Sequence, residues 1–149
     1  MKKYNINTNL IQIIKNLYDK ATGAVTFNSS IGDWFRTTVG VRQGPCLLSP
    51  TLFNIFPEKI MTDAIEDHEG TVSIGGRTIT NLRFADDTDG LGGEEIELAK
   101  LVERLDKSST AYSMQISAEK TKLMTNNTSD INTEIKVNGQ KLETVTSFK

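Results

Sequence analysis

The 149-residue sequence has very little of what binds soft metals: one cysteine, Cys46, and one histidine, His68. That excludes an internal disulfide and any multi-cysteine zinc site, and leaves almost nothing for histidine ligation. A metal here would have oxygen ligands, which means magnesium, manganese or calcium. No stretch approaches the ~20 apolar residues of a membrane span. The opening MKKYNINTNL lacks the apolar core of a secretory signal. The expectation is an intracellular chain, in cytoplasm or nucleus, with no membrane partner. Repeats, low-complexity tracts and Pro/Gly-rich linkers are also missing, so the chain reads as one domain or part of one.

What is present is an uneven distribution of charge. The formal charge is −2, yet residues 1–50 carry net +4, residues 51–106 net −8 and residues 107–149 net +2. Basic flanks about an acidic middle suit a polyanion held beside a metal, although a solvated acidic helix face explains most of the middle block.

Periodicity supplies the elements. Leu10, Ile13, Ile14, Leu17 and Tyr18 recur at helical spacing within residues 8–22, with Gly23 as the stop. AVTFNSSIGDWFRTTVG alternates and turns at residues 29–33, which predicts a hairpin. Ser49 and Pro50 open a second helix whose Leu52, Phe53, Phe56, Ile60, Met61 and Ala64 would face a core. Pro57 lies inside it and predicts a kink, because it removes a hydrogen bond at a cost of about 3 kcal/mol. A hairpin is expected about Gly75 and Gly76, and a long helix over residues 94–112 with an acidic first turn. KLMT, EIKV and KLETV read as strands, the last two joined across Asn138-Gly139. The fold class is α+β, an antiparallel sheet packed on helices.

Within this order the segment RFADDTDG, residues 83–90, sets a physical problem. An apolar approach, Leu82 and Phe84, runs into adjacent carboxylates at Asp86 and Asp87. Like charges side by side repel, and burying them unpaired costs several kcal/mol. Taken alone, the pair is most simply a solvated turn, since Asp bonds its own backbone there. Asp89 reads as a solvated turn residue. The sharper alternative places both carboxylates at a hairpin tip, where a third acid from elsewhere would complete a two-metal site for phosphoryl transfer.

Context favours the sharper reading. GVRQG at 40–44, LSPTLFNIF at 48–56, FADD at 84–87 and ISAEKTKLM at 116–124 stand in an order that resembles the palm of reverse transcriptases from non-LTR, LINE-like retrotransposons. The closing TVTSFK resembles the start of that family's next block. The resemblance spans residues 1–149 and implies a partial reverse transcriptase domain, a palm without fingers or thumb. It implies Asp86 and Asp87 as catalytic-turn acids and ligands of Mg²⁺ or Mn²⁺, with Phe84 packed behind the turn. It implies Gln43 and Gly44 against the incoming nucleotide and template base, with Arg42 nearby. Lys120, with Lys122 as the alternative, would be the proton donor to the leaving pyrophosphate. The implied partners are an RNA template, a DNA primer and dNTPs.

Several features depart from that pattern. The family's third aspartate, on a strand ahead of the first helix, has no match here: Asp19 is mid-helix and Asp33 in a turn. Three residues, Pro45, Cys46 and Leu47, separate QG from LSP where the family has two. The expectation is therefore an inactive isolated chain, a decayed or truncated relative. A non-enzymatic RNA- or DNA-binding module is the alternative, and a small metal-dependent nuclease a third reading. Cys46 reads as a small buried apolar residue, His68 as surface, and Trp34 and Phe35 as core or hairpin packing.

Overall fold

A computed structural model describes residues 1–38, 40–41, 48–126 and 134–147. Its contacts divide into two compact units, Met1–Ile55 and Phe56–Lys149.

The first unit begins with a 3-10 turn at Lys2–Tyr4 and helix α1, Thr8–Tyr18. Asn7 caps α1, its Oδ1 accepting from the Asn9 amide at 2.8 Å. The helix ends ahead of Gly23, because Asp19 is extended (φ −66, ψ 131) and Lys20 left-handed (φ 61). Then follow β1 (Thr22–Gly23), β2 (Thr26–Phe27), β3 (Ser30–Ile31) and β4 (Phe35–Arg36). β2 pairs with β3, and β1 with β4, both antiparallel. The turn falls on Asn28 and Ser29, at φ 48 and 63, earlier than the expected 29–33. Two consecutive positive φ angles are what a two-residue hairpin loop demands, and Asn tolerates them better than most residues. Little is buried here. Ile14, Ala21 and Leu52 are covered, whereas Leu10, Ile13 and Leu17 of α1 and Val25, Phe27, Ile31, Trp34 and Phe35 are exposed. Trp34 and Phe35, expected in core or hairpin packing, are not in a core: Trp34 is 68 % exposed.

Helix α2 (Leu48–Ile65) begins one residue ahead of the expected Ser49, so Ser49 and Pro50 fall inside its first turn, and it runs through Pro57 unbroken. In the first unit Ser49 is buried and its Oγ lies 3.3 Å from the Tyr18 hydroxyl. The boundary between the units, Ile55/Phe56, falls one residue before Pro57. There the backbone loses the amide that would have bonded the Phe53 carbonyl.

The second unit takes in the rest of α2, with Ile60, Met61 and Ala64 buried. Next come β5 (Ser73–Ile74) and β6 (Arg77–Thr78), a hairpin over Gly75 and Gly76 at φ 60 and 78. β7 (Asn81–Phe84) and β8 (Asp87–Gly90) form another hairpin, followed by α3 (Glu95–Ala111) and β9 (Lys122–Met124). β10 (Lys136–Val137) and β11 (Gln140–Lys141) pair across Asn138-Gly139, and β12 (Glu143–Val145) runs parallel to β9. Leu123, Ile135, Val137 and Leu142 form the core, with Leu98, Ala99, Val102, Ile116 and Ala118 packed against it. The fold is α+β, as the order of elements predicts. Among the described residues the strands pair two by two, antiparallel except for β9 with β12. No helix among them is long and apolar enough to cross a membrane.

Candidate active site

The geometry of RFADDTDG follows from the β7–β8 register. Asn81 pairs with Gly90, Leu82 with Asp89, Arg83 with Thr88 and Phe84 with Asp87. Only Ala85 and Asp86 remain for the loop. Asp86 thus occupies the turn itself and Asp87 opens β8, one residue beyond the turn. The two acids are consecutive at the tip of a short ladder, and both are exposed. Neither carboxylate has a hydrogen-bond or ion-pair partner among the described residues. Ala85 sits at φ 55, a left-handed conformation that costs an L-residue about 1–2 kcal/mol.

Cross-strand partners share a face, so Leu82, Phe84, Asp87 and Asp89 lie on one side of the ladder. Asn81, Arg83, Thr88 and Gly90 lie on the other. That second side is the supported one: a Cβ at Gly90 would lie 3.5 Å from Leu101 and 3.7 Å from Leu98 of α3. Arg83 also ties the hairpin to α2, donating to Glu58 Oε2 at 2.8 Å. Phe84 therefore does not pack behind the turn. It is 83 % exposed, because the register turns it away from α3.

The start of α3 is itself clamped. Glu97 Oε1 accepts from the Thr71 amide at 2.9 Å, and its Oε2 accepts from the Gly93 amide at 2.9 Å and from the Thr71 hydroxyl. The Thr71 hydroxyl first, then the two amides, hold this carboxyl below its ordinary range against the opposing effect of burial. His68 Nε2 stands 3.8 Å from Glu97 Oε1, its side chain 7 % exposed. His68 is thus packed against Glu97 rather than displayed at the surface. A Cβ at Gly93 would run into the Thr71 hydroxyl oxygen, so a side chain there would displace the clamp. Through Leu98 and Leu101 the clamped helix supports β8, and through β8 the tip.

Of the other candidates, Lys120 is exposed in the turn from Ser117 to Thr121, closed by the Thr121 amide donating to the Ser117 carbonyl at 2.9 Å. It makes no hydrogen bond or ion pair with Asp86 or Asp87. Lys122 is engaged by Glu143 at 2.6 Å across β9 and β12. Arg42, Gln43 and Gly44, with Pro45, Cys46 and Leu47, lie outside the described residues. Among the described residues no three His, Cys, Asp or Glu side chains converge as a ligand set.

Strands, tip and supporting helix define a two-carboxylate hairpin on an α+β scaffold. The sequence model of the family described as reverse transcriptase (RNA-dependent DNA polymerase) matches residues 1–145. The chain belongs to the reverse transcriptase family. No solved structure matches it.

Proposed function

We propose that this chain is the palm portion of a reverse transcriptase of non-LTR, LINE-like retrotransposon origin, with Asp86 and Asp87 as its catalytic-turn acids. The observation that carries the reading is the pair of adjacent, exposed, unpartnered carboxylates at a strained hairpin tip, in a chain of this family. Strain and unpaired charge at one turn are what a reacting or ligand-binding site retains against stability. The non-LTR origin rests on the order of GVRQG, LSPTLFNIF, FADD and ISAEKTKLM.

Two carboxylates suit a hard cation such as Mg²⁺ or Mn²⁺ in kind. They fall short in number, because no third ligand joins them among the described residues. No catalytic step is therefore assigned to a metal on these residues alone. The proposal gives Arg42, Gln43 and Gly44 to the nucleotide and template base and Lys120 to the leaving pyrophosphate. RNA template, DNA primer and dNTPs are the partners. Primer extension with the 149-residue chain, in Mg²⁺ or Mn²⁺, should give no product. Extension that disappears in Asp86→Asn would overturn the inactivity of the isolated chain.

A second reading, a non-enzymatic nucleic-acid-binding module, is favoured by the net +4 of residues 1–50 and the exposed Phe27, Trp34 and Phe35. Bases stack on exposed rings, and cations track the backbone. Binding to single-stranded RNA that weakens with salt and with Trp34→Ala supports it; no binding at low salt removes it.

A further inference from the structure

Within the second unit, the outer side of α3 and the second half of α2 border an open groove of about 590 Å³. Asp63, Arg104, Lys107, Ser108, Ala111 and Tyr112 line it. Its one carboxylate is already engaged: Asp63 takes the Lys59 ammonium, and the Tyr112 hydroxyl donates to its Oδ2 at 3.1 Å. Tyr112 is fixed in turn by the edge of Phe56, ring centroids 6.4 Å apart, and by Lys59 5.7 Å from its ring centre. The cations on α3 are not engaged. Arg104 and Lys107 have no hydrogen bond or ion pair among the described residues. The positions three and four residues from Arg104 are Lys100, Leu101, Lys107 and Ser108, so its own helix offers it no acid. Glu103, one turn before Lys107, makes no ion pair with it.

Arg104 is partly buried as a residue and its guanidinium has no partner, whereas the natural counterpart of that group is a planar oxyanion held by two parallel hydrogen bonds. Lys107 adds a point charge and Ser108 a hydroxyl donor on the same side. Asp63 is the one carboxylate lining the groove, and Lys59 already holds it. The volume is that of a site for a small ligand rather than a lone ion.

We propose that this groove binds the phosphate of a nucleotide unit through Arg104, Lys107 and Ser108, either in a nucleic-acid strand or as a free nucleotide. The site is separate from Asp86 and Asp87 and stands whether or not they hold a metal. The test is an NMR titration of the ¹⁵N-labelled chain with inorganic phosphate, AMP and a short single-stranded RNA. Shifts at Arg104, Lys107, Ser108 and Tyr112 are expected. Tighter binding of RNA than of AMP assigns the strand as the source; equal or tighter binding of AMP assigns the free nucleotide. The Arg104→Gln/Lys107→Gln double variant should weaken RNA binding about tenfold and lower the salt slope by about 1.4. Arg77→Gln, which removes one exposed charge from the same unit, should change little. Three ligands that leave the groove unshifted would overturn the proposal. So would a double variant that binds like the parent, or an Arg77→Gln loss as large as that of the double variant.

Discussion

Two hairpins of the second unit, β7–β8 and β10–β11, share a two-residue loop and are built from opposite materials. In β10–β11 the loop is Asn138-Gly139, at φ 50 and 76, the residues such a loop prefers. Asn138 is held twice more, its amide donating to Asp106 Oδ2 at 3.1 Å and its side chain to the Ile116 carbonyl at 2.9 Å. Val137 and Leu142 beside it are buried. In β7–β8 the loop is Ala85-Asp86, with alanine in the left-handed region, and Leu82 and Phe84 beside it are exposed. The first hairpin is stabilised by what its side chains bury and bond. The second is carried by its backbone ladder, by Gly90 against α3 and by Arg83 on Glu58, while its tip works against stability. Such a division is what a turn retained for chemistry produces.

That contrast can be broken at several points. Leu142→Ala opens a cavity in the core and should cost about 2–5 kcal/mol in urea denaturation, whereas Phe84→Ala should stay within about 0.5 kcal/mol. Equal losses would erase the distinction. At the loops, Gly139→Ala should destabilise by about 1–2 kcal/mol. Ala85→Gly should leave stability unchanged or raise it by up to about 1 kcal/mol, relief of strain being offset by unfolded-state entropy. A loss in Ala85→Gly would show that the tip is not strained. The smallest effect concerns the clamp under β8. Glu97 has a folded pKa below its ordinary 4.5, so its contribution is present above that value and is lost as pH falls through the lower, folded one. Melting temperature measured against pH should show this acid-side decline in the parent and a shallower one in Glu97→Gln.

Much of this was legible in the sequence. Gly75-Gly76 and Asn138-Gly139 were readable as loops because few other residues accept consecutive positive φ angles. The long helix was readable from its apolar spacing and acidic first turn. The order of four blocks was readable as a reverse transcriptase, and residues 1–145 match that family at this coarser level. What escaped was whatever depends on partners distant in sequence. Alternation placed Leu82 and Phe84 on one face without saying which face α3 covers. His68, in the polar run EDHEG, reads as surface until Glu97 comes beside it. Gly23 could not mark the end of α1, because Asp19 and Lys20 had already left the helix. The apolar stripe of α1 was readable as a helix, but not what covers it: within the first unit Leu10, Ile13 and Leu17 are exposed. The Arg104–Lys107 groove gave only a weak signal, a run of cations at Lys100, Arg104 and Lys107 on one helical face.

If Asp86 and Asp87 are the catalytic-turn acids proposed above, the tip should draw a divalent cation, and Mn²⁺ reports on it directly. In NMR spectra of the ¹⁵N-labelled chain, Mn²⁺ at low concentration should broaden the amides of Ala85, Asp86, Asp87 and Thr88 first. Asp86→Asn should abolish that selectivity while leaving the Asn138 and Gly139 signals as they were. Broadening spread evenly over the acidic surface, or unchanged in Asp86→Asn, would mean that the tip has no cation site of its own.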